Sequence, residues 1–145
     1  MRLPICDWES KIESRKSKIA NGGSMKEEDL KRRTKQFALR VIKLVDALPK
    51  TTAGRAIGGQ LVRSGTAVGA NYRAACRGRS KAEFIAKLGV VEEEADESGY
   101  WLELIIEADL LKLELVNSLL QEANELTAII ASSRITANRK REALT

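Results

Sequence analysis

Histidine does not occur in this 145-residue chain. Its absence removes the commonest general base and rules out both the Ser-His and the Cys-His nucleophile pairs. That weighs against an enzyme. Cysteine is nearly as scarce: Cys6 and Cys76 form no CxxC motif and are too few for a disulfide framework. Without histidine or clustered thiols no metal-ligand spacing exists, so no metal and no cofactor is expected. Aromatic residues make up 4% of the chain, and only Pro4 and Pro49 can interrupt helical periodicity. No apolar run approaches the roughly 20 residues a membrane helix requires. The opening MRLPICDWESK lacks the apolar core of a secretory signal, so a cytoplasmic location is expected.

What remains abundant is helix-forming residues, and the composition predicts an all-α protein of one domain. Its most informative stretch runs from Gln60 to Lys81, QLVRSGTAVGANYRAACRGRSK. At helical spacing Ile57, Leu61, Val68, Tyr72 and Ala75 share one face, with Ser64 in the gap. Gly54, Gly58, Gly65 and Gly69 fall four apart within each pair. Each glycine costs a helix roughly 1 kcal/mol against alanine, so the pattern calls for a neighbouring helix at close approach. Arg55, Arg63, Arg73, Arg77 and Arg79 exclude a membrane setting for it. A phosphate-cradling loop would need a Gly-Lys-Ser/Thr tail and a preceding strand, and neither is found. Ser64 and Asn71 lie near the apolar face, where buried polar groups must find hydrogen-bond partners.

Taken in order, residues 1–24 read as a flexible leader outside the fold, with Met25 a candidate natural start. The bundle domain is expected over 25–138 and a frayed basic tail over 139–145. The first helix spans about Glu27 to Leu48, with acids in its first turn, a Phe37, Val41, Leu44 and Leu48 stripe helped by Ala38 and Val45, and a stop at Pro49. Lys50-Thr51-Thr52 is a turn with a Thr cap. The second helix then runs to about Arg77, where Gly78 is the expected C-terminal cap. Ser80-Lys81-Ala82-Glu83 reads as a capping box opening a third helix to about Asp109. Its stripe is Phe84, Leu88, Val91, Ala95, Leu102 and Ile105, with Ser98 in the gap. Its many carboxylates resemble a di-iron site only superficially, since such sites use Glu-x-x-His pairs. The fourth helix, about Glu114 to Asn138, carries Val116, Leu119, Ala123, Leu126, Ile130 and Ser133, widened by Leu120 and Ile129. Short connections force neighbours antiparallel, predicting an up-down-up-down four-helix bundle.

Charge is polarised along the chain. Met25–Lys81 holds 14 Lys+Arg against 4 Asp+Glu, whereas Ala82–Leu126 holds 2 against 12. The two segments must either neutralise each other across helix contacts or present separate faces.

Three groups of residues carry a family resemblance: Gln60-Leu61-Val62-Arg63-Ser64, then Val68 to Ala75, then Arg79-Ser80-Lys81-Ala82-Glu83-Phe84. Over about Leu30–Thr136 the chain resembles the four helix bundle protein family. That family includes proteins encoded within intervening sequences of bacterial large-subunit ribosomal RNA genes. It is also similar to the accessory variability determinant of diversity-generating retroelements. The resemblance implies a four-helix protomer, a homopentameric ring and a basic surface facing nucleic acid, with a reverse transcriptase or another protein as a candidate partner. Two departures stand out. The family's Asn-x-x-Glu-Gly is replaced by Asn71-Tyr72-Arg73-Ala74-Ala75, and its Gly-Ser-x-x-Glu by Glu93-Glu94-Ala95-Asp96-Glu97. A rewired polar network of Gln60, Ser64, Asn71, Glu94 and Glu97 is therefore expected, with Glu94 or Glu97 meeting Asn71 or an arginine.

Two functions follow from these readings. One is an oligomer that binds RNA or DNA through phosphates, without sequence readout, using Arg32, Arg33, Lys35, Arg40, Arg63, Arg73, Arg77, Arg79 and Lys81. The other is a scaffold whose charged helices serve self-assembly or partner-protein binding.

Overall fold

The computed structural model describes residues 27–144, which form four α-helices. They are α1 (Glu27–Asp46), α2 (Thr52–Cys76), α3 (Lys81–Glu107) and α4 (Leu113–Ala143). The expected leader at 1–24 lies outside the described residues. Consecutive helices pack against one another, and the α4–α1 seam that closes the bundle is the thinnest.

Local chemistry sets the boundaries. Glu27, Glu28 and Asp29 occupy the first turn of α1, where carboxylates offset the positive helix end. Beyond Asp46 the chain tightens, with Ala47 N–H donating to the Leu44 carbonyl at 3.0 Å ahead of Pro49. The Thr51 hydroxyl caps α2 by accepting from Gly54 N–H at 3.1 Å. At its other end the cap is Arg77 rather than Gly78. Gly78 serves a different need, because a Cβ there would lie 3.0 Å from the Ala75 carbonyl oxygen. Ser80 caps α3 as expected, accepting from Glu83 N–H at 3.1 Å, while Glu83 reaches back to the Arg79 N–H at 3.0 Å. Asp109 turns the α3–α4 connection at φ 54°, a left-handed conformation that Asp tolerates better than most residues. α4 carries helix through to Ala143, past the expected end near Asn138. Its last turns, Arg139-Lys140-Arg141-Glu142-Ala143, are good helix formers with cations near the negative helix end.

The core follows the four stripes closely. Phe37, Val41, Leu61, Val68, Leu88, Val91, Leu102, Ile105, Val116, Leu126 and Ile130 are all at most 1% exposed. Ile57 and Phe84 are half-buried, and Ser133 is exposed. The α4 stripe continues to Ala137 instead, at 8% exposure, because two steps of 3.6 residues from Ile130 land there. Gly58, Gly65 and Gly69 of α2 face α1 at close approach. A Cβ on Gly65 would sit 2.8 and 2.9 Å from the two Val41 γ-methyls, and one on Gly69 would sit 3.2 Å from Thr34 Oγ1. Thr34, fully buried, satisfies its hydroxyl on the Leu30 carbonyl at 2.8 Å. Among the described residues, no helix is long and apolar enough to cross a membrane.

Candidate nucleic-acid interface

Ion pairs across the helix seams consume part of the charge polarity. Between α2 and α3, the Arg63 guanidinium donates to Glu97 and, at 3.2 Å, to Glu94. Glu97 also accepts the Trp101 indole N–H at 3.1 Å. The Arg63 bond first, and the Trp101 bond second, hold the Glu97 carboxyl below its ordinary value. Between α1 and α4, Arg33 Nε donates to Glu122 at 2.6 Å and its terminal nitrogen to Glu125, and all three side chains are at most 20% exposed. Between α4 and α3, Arg134 Nε donates to Glu92 at 2.7 Å. Arg33 and Arg63, both expected at a phosphate-binding surface, are thus engaged within the fold.

The expected polar network resolves into separate pieces. The Ser64 and Ser98 hydroxyls are hydrogen-bonded to each other at 2.9 Å in the buried α2–α3 seam. The Leu61 and Glu94 carbonyl oxygens satisfy the remainder. Glu94 and Glu97 meet an arginine, as one of the two options had it, and Gln60 is exposed and accepts from Arg63 at 3.5 Å. Asn71 belongs to neither group, since its amide donates to the Ala67 carbonyl one turn back at 2.9 Å. Ser98 entered the sequence reading only as a gap in a stripe. Its position opposite Ser64, at the same depth of an antiparallel pair, is the signal that identifies it.

Seven exposed cations outside the ion pairs lie at one end of the bundle, and Lys43, Lys50, Arg55 and Lys112 lie at the other. Antiparallel topology brings together the end of α2, the α2–α3 turn, the start of α3, the end of α4 and the start of α1, whose Glu27, Glu28 and Asp29 put acids at the same end. Arg73, Arg77, Arg79 and Lys81 come from the first three, and Arg139, Lys140 and Arg141 from the fourth; all seven are exposed. The ion pairs of the described residues take up Lys31, Arg32, Arg33, Arg63 and Arg134, and none of these seven. Of the remaining expected contacts, Arg32 pairs with Asp29 at 2.6 Å, Arg40 donates to Ser118 at 2.9 Å, and Lys35 is exposed along α1. The α4 cations were missed because a basic tail beyond the last apolar repeat reads as fraying. Only the antiparallel return of α4 puts them beside the α2–α3 turn.

The profile of the 23S rRNA-intervening sequence protein family matches residues 26–132. The chain belongs to this family. A solved relative is a protein of unknown function from the S23 ribosomal protein family of Bacteroides thetaiotaomicron VPI-5482. The two are 33% identical with a TM-score of 0.68, over 72% of this chain and 97% of that one. Among curated proteins none matches this sequence. The family match includes Arg73–Lys81 and ends before Arg139–Arg141, so the basic end is built partly from α4 turns beyond the matched segment. Close to that end, Tyr72 and Cys76 pack under Glu27 and Lys31. Burial pushes both the Tyr72 phenol and the Cys76 thiol up, leaving Cys76 a neutral thiol at ordinary pH.

Proposed function

We propose that this chain is a non-enzymatic protein that binds RNA or DNA through phosphate contacts made by the basic end of its bundle. The observation that carries this reading is the convergence of Arg73, Arg77, Arg79, Lys81, Arg139, Lys140 and Arg141, exposed and outside the ion pairs that hold the helices together. Cations that stabilise a bundle are found opposite carboxylates, as Arg33, Arg63 and Arg134 are. Cations left to water at one pole produce a field that attracts polyanions. Membership of a ribosomal-RNA-associated family agrees with such a ligand. The proposed working unit is a homo-oligomer, by family resemblance a pentameric ring, in which several such ends act together.

The test is fluorescence anisotropy with a short mixed-sequence RNA and its DNA counterpart over a salt series. Binding is expected to weaken steeply with salt, with a log–log slope of about −0.7 to −0.9 per phosphate neutralised. Absence of binding at low salt, or a salt-independent affinity, would overturn the reading.

A second reading, a scaffold for self-assembly or for a partner protein such as a reverse transcriptase, has its own support. Leu39 and Ile42 on α1 are 52% and 43% exposed, and Tyr100 on α3 is 53% exposed. These large apolar groups lie among charges on the outward faces of two diagonal helices. Light scattering separates the readings: an oligomer indifferent to both nucleic acids at low salt would favour the scaffold.

A further inference from the structure

We infer that the ligand of the basic end is double-stranded, its two phosphate backbones held at once by cations from different helices. This rests on the phosphate-binding reading and adds which form of nucleic acid the end accepts.

Three features of the end lead there. First, its cations fall into two banks whose outer members stand on diagonal helices. Arg73, Arg77, Arg79 and Lys81 follow the end of α2 into the start of α3, and Arg139, Lys140 and Arg141 close α4. α2 and α4 are diagonal in the bundle, each packing on α3. With neighbouring axes about 8–10 Å apart, the diagonal is roughly 11–14 Å. That separation suits phosphates on opposite sides of a duplex groove, the major groove of about 12 Å in B-form DNA and the wide minor groove in A-form RNA. Second, the aromatic rings at this end face inward. Tyr72 is 8% exposed, and Phe84 packs against the core cluster. Single-strand binders draw much of their affinity from bases stacked on exposed rings along a groove. Here the exposed groups are charged, with the seven cations outnumbering Glu27, Glu28, Glu83 and Glu142, and affinity must come from phosphate contacts. Third, phosphate density favours the duplex, which carries a charge about every 1.7 Å of axis against 3.4 Å for each of its strands.

The experiment uses the full chain in fluorescence anisotropy with a labelled duplex RNA of about 20 base pairs, a DNA duplex of the same sequence, and each separated strand. All are measured over one salt series. Both duplexes are expected to bind at least tenfold more tightly than their strands, with steeper salt slopes. Two triple variants probe the two banks, Arg77→Gln with Arg79→Gln and Lys81→Gln, and Arg139→Gln with Lys140→Gln and Arg141→Gln. Each should flatten the duplex slope by up to about 2.7, at roughly 0.9 per lost contact. Circular dichroism verifies that both variants keep their helix content. Single strands bound as tightly as duplexes would overturn the inference while leaving the phosphate reading in place. A folded triple variant with unchanged duplex binding would overturn the two-bank grip. No binding to any of these ligands would overturn both. RNA and DNA duplexes bound alike would support contact through phosphates alone, and a duplex preference confined to one of them would overturn that.

Discussion

Gly59 and Gly65 stand on the same helix, and replacing each by alanine should move stability in opposite directions. A Cβ on Gly59 meets nothing within 4 Å, so Gly59→Ala contributes only its helix propensity, a gain of about 1 kcal/mol. At Gly65 the same gain is set against contacts of 2.8 and 2.9 Å with both γ-methyls of Val41. Val41 is fully buried, and its branched side chain has one comfortable rotamer in a helix. It cannot turn aside, so α1 and α2 must separate by several tenths of an ångström. Overpacking of this kind costs about 1–3 kcal/mol. Propensity cancels between the two variants, and their difference isolates the packing cost. Urea denaturation followed by far-UV circular dichroism, at one fixed protein concentration, should place Gly65→Ala about 1–3 kcal/mol below Gly59→Ala. At roughly 4 °C per kcal/mol the gap is also visible in thermal melts. Adding Val41→Ala to Gly65→Ala should recover part of the loss, a coupling expected only for residues in contact. Equal stabilities for the two glycine variants would refute the view that the glycine stripe exists to seat α2 on α1.

The buried serine pair makes a sharper statement about pairing than about serine itself. Ser64→Ala leaves Ser98 with the Glu94 carbonyl alone in a dry seam and should cost about 0.5–1.5 kcal/mol, whereas Ser64→Ala with Ser98→Ala should cost less than the sum of the singles; strict additivity in denaturation would contradict the pair. Glu97 gives an acid-sensitive contact. Its folded pKa is depressed, so its contribution is present above the ordinary value of 4.5 and is lost as pH falls through the lower folded value. Trp101 emission should therefore shift below pH 4.5 and not in Glu97→Gln, and identical titrations of the two proteins would remove the assignment. Lys81 opens α3, where a cation opposes the helix dipole. Lys81→Glu should raise stability by about 0.3–1 kcal/mol while weakening nucleic-acid binding, and a variant that binds no less tightly would place Lys81 outside the interface.

Most of the architecture was legible because it depends on short-range signals. The four stripes, the Thr51 and Ser80 caps and the acids opening α1 are all written within a turn or two of the residues they organise. The partners of the arginines were not, since Arg33 and Glu122 are joined only through the register of two helices far apart in sequence. The same limit hid the serine pair. Ser64 and Ser98 are 34 positions apart, and nothing local to either marks the other. Asn71 shows the opposite failure. A polar residue near an apolar stripe suggested a tertiary partner, yet its amide is satisfied by its own helix at Ala67.

The basic end differs from the rest of the surface in what it contributes to folding. Along the barrel, Arg33 of α1 and Arg63 of α2 face carboxylates of α4 and α3, and Arg134 of α4 faces Glu92 of α3, adding ion pairs to seams that are otherwise mainly apolar. At the ends of α2 and α4, cations are favoured by the helix dipoles, which accounts for Arg73, Lys140 and Arg141 without any ligand. Arg79 and Lys81 have no such account. They sit at the positive start of α3, which the Ser80 cap and the Glu83 carboxylate offset. A cation where the dipole is already unfavourable is a cost to the isolated chain, and a polyanion laid across the end would relieve it. Folding stability alone would have placed acids at those two positions, as it did at the start of α1.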